Sequence, residues 1–455
     1  MRIARIDLWH VRVPLPAPFF PSWIPGMRQT ENRFDLLRLR TEGGLEGWSA
    51  APAVGKERAG IGALLGPYLL GERADDLEGI RQRIREMGYL GVRAGWIEPA
   101  VWDIVGKARG KPVYELLGGA GGVCDLYAST GEVIDAAVLR EAQLRIDEGF
   151  GAVKLRVHAD TLEEDLAALD LARETLGDDA VLGVDANQGW RVAAVADAPR
   201  WDLTRARAFC RHAEQLGFTW VEEPLPMDAY ADLAALTAST EVHITGGELN
   251  HHGLPELGMM ASRHCFDEVQ PDAIMTGGIA EAWAIAQTAA SVGVGYTPHT
   301  WTNGIGFAVN LHLFAASGGR DKLRLEYPIN PPGWVPAARD GLLTTPFLHD
   351  NGTLRLPTEP GLGFRIDASQ LRRWGSRFFV ATKVRVALRA VLDRGVSGAR
   401  HLGAIRDERL STRAAALDAA IAEGKDPFLD ALHALAPEPS HLDATVPGSP
   451  TADGS

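Results

Sequence analysis

The chain has almost no cysteine. Only Cys124, Cys210 and Cys265 occur in 455 residues, an odd number without CxxC spacing. That speaks against a disulfide framework or a cysteine zinc site and fits a reduced, cytoplasmic setting. Long apolar runs are missing as well. No stretch reaches about 18 apolar residues, and the opening Met1-Arg2-Ile3-Ala4-Arg5-Ile6-Asp7 holds no apolar signal region. The expectation is a protein with no membrane span and no secretion signal. Positive charge is also in deficit: the net charge is −13 and the pI is near 5.5, which argues against a nucleic-acid binder as a whole. The remainder, 46% hydrophobic and 23% charged, is ordinary for a globular protein, and its length calls for two or more domains.

What is present is a repeated pattern. Val181-Leu182-Gly183-Val184 runs straight into Asp185, as a strand buried on both faces with an acid at its C-terminal end would. Lys154, Glu222, Glu248, Asp272, His299 and Glu326 follow short apolar runs in the same way. The steps between these seven residues are about 24 to 37 residues, roughly one strand-plus-helix unit each. A parallel (β/α) barrel puts the C-terminal ends of all its strands on one face, so the seven are expected to converge on one pocket.

The rest of the chain divides around this pattern. Residues 1–122 read as an α+β domain: Phe34 to Thr41 is a strand that turns at Gly43-Gly44, and helices carry Leu77, Ile80, Ile84, Met87 and then Ile97, Val101, Ile104 and Ala108. The second helix stops at Gly110-Lys111-Pro112. Pro14 to Asn32, with five prolines and Phe19, Phe20 and Trp23, reads as an aromatic loop placed to cover a pocket. Residues 123–326 alternate strand and helix, with a capping box at Thr161 to Glu164. Residues 327–368 are rich in Pro and Gly. In 369–436, a helical spacing of Leu371, Trp374, Phe378, Val384, Leu388 and Val391 comes with nine basic residues and one acid between Gln370 and Arg406. The tail, 437–455, has the composition of a disordered segment.

Asp185, Glu222 and Glu248 end three successive strands. Three clustered carboxylates repel one another unless a cation joins them. A hard divalent ion with oxygen ligands fits, Mg²⁺ first and Mn²⁺ as an alternative, and leaves room for water and a substrate carboxylate. Three separate helix caps or ion pairs would be the bland explanation. Lys154 and Arg156, two apart on one strand, point to one side and offset the negative charge.

These segments resemble the enolase superfamily in its mandelate racemase-like subgroup. Lys154-Leu155-Arg156 is similar to the family's Lys-x-Lys motif. Val184 to Trp190, Trp220 to Pro224 and Gly247-Glu248 are similar to its metal-ligand segments. Asp272 and His299 resemble its Asp–His dyad and Glu326 its last-strand acid. The resemblance covers about residues 1–368. It implies a modified (β/α)7β TIM-type barrel with an α+β capping domain built from both chain ends, to which this chain adds a C-terminal helical extension. It also implies abstraction of a proton next to a carboxylate, an enediolate stabilised by Mg²⁺, and a homo-oligomer acting on a small carboxylate substrate. In that chemistry Asp272 holds the His299 imidazole in one tautomer, and Glu326, if protonated, donates a hydrogen bond to the enediolate. Asn187, Asn250, Trp301, Phe20 and Trp23 are the expected substrate contacts.

One residue departs from the family's racemase. Arg156 stands where a second lysine serves as base, and a guanidinium is a poor base. Racemisation needs two bases on opposite faces of one carbon, whereas elimination of water needs one group that takes a proton and returns it. The departure favours a dehydratase of polyhydroxy acids over a racemase, epimerase or lactone cycloisomerase. A non-catalytic scaffold is the reading from another class, and the intact set of metal and dyad residues opposes it. For the basic segment, packing against the acidic body or a neighbouring subunit stands beside binding to an anionic polymer or membrane.

Overall fold

A computed structural model describes residues 1–53, 55, 57–192, 200–319 and 322–435. The tail expected to be disordered, 437–455, lies outside the described residues. The chain opens with three antiparallel strands, β1 (Ile3–Phe19), β2 (Gln29–Thr41) and β3 (Glu46–Pro52). Here the expected loop is corrected, because β1 continues through Pro14, Pro16 and Pro18 and only the link from Phe19 to Gln29 is irregular. The prolines alternate with inward-facing Leu15 and Phe19 and are themselves exposed. Proline is tolerated in a strand where its missing N–H leaves no ladder partner unpaired, and the pairing of β1 with β2 is irregular between Pro14 and Phe19. The helices Leu77–Tyr89 and Pro99–Arg109 follow, the second closed by Gly110 in the left-handed region at φ 66°.

Eight parallel strands come next: β4 (Val123–Ser129), β5 (Val153–Arg156), β6 (Leu182–Asp185), β7 (Trp220–Glu222), β8 (His243–Gly246), β9 (Glu268–Val269), β10 (Gly295–Tyr296) and β11 (Leu325–Pro328). From β4 to β10 neighbours in sequence are neighbours in the sheet, and β11 pairs with β4. Each connection carries a helix, which makes the (β/α)7β barrel. Helices cover the outside, so β5 and β6 are buried at every position. Thr161 and Glu164 form the expected capping box on the helix Leu162–Leu176. A short strand, β12 (Thr353–Arg355), pairs with β4.

The capping domain is locked to the barrel at one close contact. A Cβ on Gly95 would stand 2.7 Å from the backbone of Gly277, so the two backbone segments touch there without side chains. Next to it, the Glu98 carboxylate accepts the Ala280 N–H at 3.2 Å and caps the barrel helix Ile279–Ser291. Burial pushes Glu98 up from 4.5 to about 7, against the pull of Arg81. A raised folded-state value means the fold binds this proton more tightly than the unfolded chain does. Its contribution is therefore full at low pH and is lost as pH rises from about 4.5 through 7. Urea unfolding of Glu98→Gln is expected to lose about 2–3 kcal/mol of the stability decline between pH 5 and 8. An unchanged slope would mean Glu98 does not carry it.

The C-terminal segment departs from an all-helical extension. Helix Ala368–Trp374 is followed by β13 (Gly375–Thr382), which pairs with β1 and joins the capping sheet. The helical spacing of its apolar residues gave way to an open sheet edge for which Phe378, Phe379 and Val380 are good strand formers. Helical chain then runs over Lys383–Ala422 with a break at Gly395, φ 70° and ψ 172°. Helix Pro427–His433 seats a buried Phe428 against Trp102 at 4.7 Å.

Candidate active site

Parallel register brings the charged strand ends together. Arg156 lies opposite Asp185, and Asp185 opposite Glu222, across β5, β6 and β7. Glu248 follows β8, Asp272 caps the short helix Ala273–Thr276 after β9, His299 follows β10, and Glu326 lies on β11. All are buried. Lys154 Nζ stands 2.6 Å from Glu222, 2.8 Å from Glu326 and 4.0 Å from Asp185. Arg156 pairs with Asp185 and donates to the Thr130 carbonyl at 2.6 Å. His299 is held from both ring nitrogens, 3.1 Å from Asp272 at Nδ1 and 3.1 Å from Glu248 at Nε2. Asn310 donates at 2.8 Å both to Asp272 and to the His299 carbonyl, clamping the dyad.

The site is over-supplied with carboxyl groups. Among the described residues Asp185, Glu222, Glu223, Glu248, Asp272 and Glu326 are buried with Lys154, Arg156 and His299 as the cations beside them. Burial raises Glu222 to about 7 despite Lys154, with Asp185 and Glu326 adding to the rise. Burial and then the charge of Glu248 push Glu223 well up. Glu223 sits in the left-handed region at φ 47°, and its buried Oε2 has no hydrogen-bond partner. Desolvation would strip charge from Lys154, yet Glu222 and Glu326 hold it protonated. Desolvation likewise opposes charge on His299, but Glu248 and Asp272 bring it to about 9. Burial would raise Glu326; Lys154, His299 and Arg156 instead hold it down at about 2.

Glu326 therefore differs from its expected role. Its two oxygens accept from Ser129 Oγ at 2.8 Å, from Lys154, and from Thr300 N at 2.7 Å. With donors converging on both oxygens, it is an ionised acceptor that anchors Lys154 rather than a hydrogen-bond donor. Lys154 in turn is enclosed, and Arg156, though also buried, is the one of the two that lines the cavity.

The unbalanced carboxylates fit a divalent cation. Asp185, Glu222 and Glu248 are hard oxygen donors on three consecutive strand ends. Glu223 adds a buried, partnerless oxygen beside them. Among the described residues no three such side chains already stand at metal-holding spacing, because each carboxylate is turned to a cationic or N–H donor: Asp185 to Arg156, Glu222 to Lys154, and Glu248 to His299 and to Trp190 Nε1 at 2.8 Å.

A cavity of about 450 Å³ opens over this floor, lined by His299, Arg156, Glu248 and Asn187. Trp23 and Trp301 line it as expected, and Arg156 lies 5.0 Å and 5.5 Å from their ring centres. Two expected contacts are elsewhere. Phe20 points outward, 48% exposed, because strand alternation turns Phe19 inward in its place. Asn250 is buried, and its amide donates to Glu256 at 3.0 Å, away from the cavity. Asn187 lines the cavity while its oxygen accepts from Ser22 of the cap at 2.6 Å. Trp190, Trp334, Ser129, Asn310 and Glu223 were not anticipated. Trp190 and Glu223 sit inside the quoted ligand segments, so adjacency was a usable signal; for the others only the fold brings them near.

Comparison with known proteins agrees with this geometry. The family described as mandelate racemase / muconate lactonizing enzyme, N-terminal domain, matches residues 8–118, and the enolase C-terminal domain-like family matches 137–370. The chain belongs to the enolase superfamily, in its mandelate racemase-like subgroup. An arabinonate dehydratase of Saccharolobus solfataricus is 30% identical over 364 residues, covering 75% of this chain and 91% of that protein. A D-galactarolactone cycloisomerase of Agrobacterium fabrum is 29% identical, covering 82% and 98%. The solved L-talarate/galactarate dehydratase of Salmonella typhimurium LT2, liganded with Mg and L-lyxarohydroxamate, is 27% identical. It aligns with a TM-score of 0.69 over 84% of this chain and 94% of that one. Superfamily members this similar are dehydratases and isomerases alike, so this chain is an enzyme whose reaction class rests on its own residues. Among the described residues no helix is long and apolar enough to cross a membrane.

Proposed function

We propose that the protein is an acid-sugar dehydratase, which takes the proton next to the carboxylate of a polyhydroxy acid and expels water to give a 2-keto-3-deoxy acid. The observation that carries this reading is the asymmetry of the cavity: His299 lines it as a base, and Arg156 occupies the place of a second base. Asp185, Glu222 and Glu248 would hold Mg²⁺, with Mn²⁺ as an alternative. Bound there, the ion supplies positive charge that makes a carbon acid next to a carboxylate easier to ionise. Asp272 accepts the Nδ1 proton of His299, and Nε2, once released from Glu248 and unprotonated, takes the substrate's α-proton. The C–H electron pair becomes the enediolate. The β-hydroxyl then leaves with the proton returned by His299, and the resulting enol tautomerises to the ketone. Arg156, protonated and steadied by Trp23 and Trp301, pairs with substrate carboxylate or hydroxyl oxygens. Lys154 and Glu326 neutralise each other in the floor of the site.

Opening or closing a lactone also needs only one base, and the similarity to a D-galactarolactone cycloisomerase favours it as the second reading. The test is NMR in D₂O with Mg²⁺ on a panel of sugar mono- and diacids, 2-hydroxy acids and lactones. A 2-keto-3-deoxy acid is the expected product. Interconversion of lactones selects the second reading, and α-proton exchange without loss of water overturns both.

A further inference from the structure

Exposed apolar side chains concentrate where the family match has ended. Beyond residue 370, Val384, Leu388, Leu392, Val396, Leu402 and Ile405 are each 50–76% exposed. Val384, Leu388 and Leu392 recur every four residues and so share one face of a helix. Arg385, Arg389, Arg394 and Arg400 flank them, all exposed. The later part of this helical stretch is fastened to its own capping domain, Arg409 to Glu72 and Arg413 to Asp76 and Glu78. The part before Gly395 is held by less: Val386 packs on the core, Lys383 pairs with Glu42, and Arg389 pairs within the helix with Asp393 at 2.7 Å. A stripe of this size left in water marks an interaction surface.

We infer that this stripe docks on a second copy of the same chain. Charge complementarity carries the choice. Nine basic residues against one acid lie between Gln370 and Arg406, in a chain of net charge −13, so the rest of the molecule is strongly acidic. The barrel helix Leu162–Leu176 shows what such a surface offers. It exposes Glu163, Glu164, Asp170 and Glu174 around a 44% exposed Leu171, and turns its one arginine, Arg173, inward to the Leu216 carbonyl at 2.8 Å. An acid-flanked leucine of one copy meets the arginine-flanked apolar stripe of the other. Two identical stripes would oppose like charges, so reciprocal stripe-to-body docking around a twofold axis is the closed arrangement. An anionic membrane fits less well, because the acidic body is repelled and the stripe has no Trp, Tyr or Phe to seat at a lipid interface.

The test is sedimentation velocity of the full chain over a concentration series, beside the variants L388E/L392E and R385E/R389E. These positions are exposed, so circular dichroism and urea unfolding are expected to match the wild type. The wild type is expected to be at least a dimer. Each variant is expected to raise its dissociation constant by about tenfold or more, and salt is expected to weaken the wild-type assembly. A monomeric wild type, or assemblies unmoved by both variants, overturns the inference. So does binding of a monomer to phosphatidylglycerol vesicles that L388E/L392E abolishes.

Discussion

His299→Asn is expected to lower turnover by about 10²–10⁴-fold, toward the upper end because one imidazole serves both proton transfers. The expectation follows from what else could act in its place. Lys154 is kept protonated between Glu222 and Glu326 and is enclosed. Arg156 stays charged, and Glu326 already accepts donors on both oxygens. Among the described residues no other imidazole or unpaired amine lines the cavity from the strand ends. Asparagine keeps the size and polarity of the site, so the fold is expected to survive, and rates of keto-acid formation measure the loss. Asp272→Asn removes the acceptor that fixes the tautomer. It is expected to cost about 10²-fold or more while substrate affinity stays near that of the wild type. A His299→Asn rate within tenfold of the wild type would assign the proton transfer to another group.

The second large effect concerns divalent cations. Chelation is expected to abolish turnover, and Mg²⁺ to restore it. Six carboxyl groups against three cations leave the site with surplus negative charge to which a substrate carboxylate only adds. Stability supplies a readout separate from turnover. Mg²⁺ at about 100 times its dissociation constant stabilises a protein that binds it only when folded by about 2.7 kcal/mol. The wild-type melting temperature is expected to rise accordingly, and that of Asp185→Asn to rise far less. Turnover that persists in chelator, or a melting temperature indifferent to Mg²⁺, would contradict the assignment of Asp185, Glu222 and Glu248.

The barrel and the floor of the site were legible because a strand covered on both faces must be apolar along its length, so a charge at its end stands out. Asp185 after Leu182-Gly183-Val184 is legible for that reason. The cap was less so. Reading Pro14 to Asn32 as a loop discards the parity that assigns Phe19 inward and Phe20 outward. Asn250 was misplaced because residues just past a strand end can turn into the helical layer as readily as into the cavity. The charge state of Glu326 depends on Lys154, His299 and Arg156, which only the barrel brings against it from separate strands. β13 was hidden because its apolar residues fit a helical period as well, and an unpaired edge of β1 decided the outcome.

The proposed chemistry turns on a single proton, and the most direct measurement follows it. The panel compound that the enzyme turns over is incubated in D₂O with Mg²⁺, and the hydrogen at its α-carbon is followed by NMR with the wild type and with His299→Asn. The wild type is expected to lose that hydrogen together with water, and His299→Asn to show neither exchange nor elimination beyond about a hundredth of that rate. Exchange at the α-carbon that continues at a comparable rate in His299→Asn would contradict that chemistry.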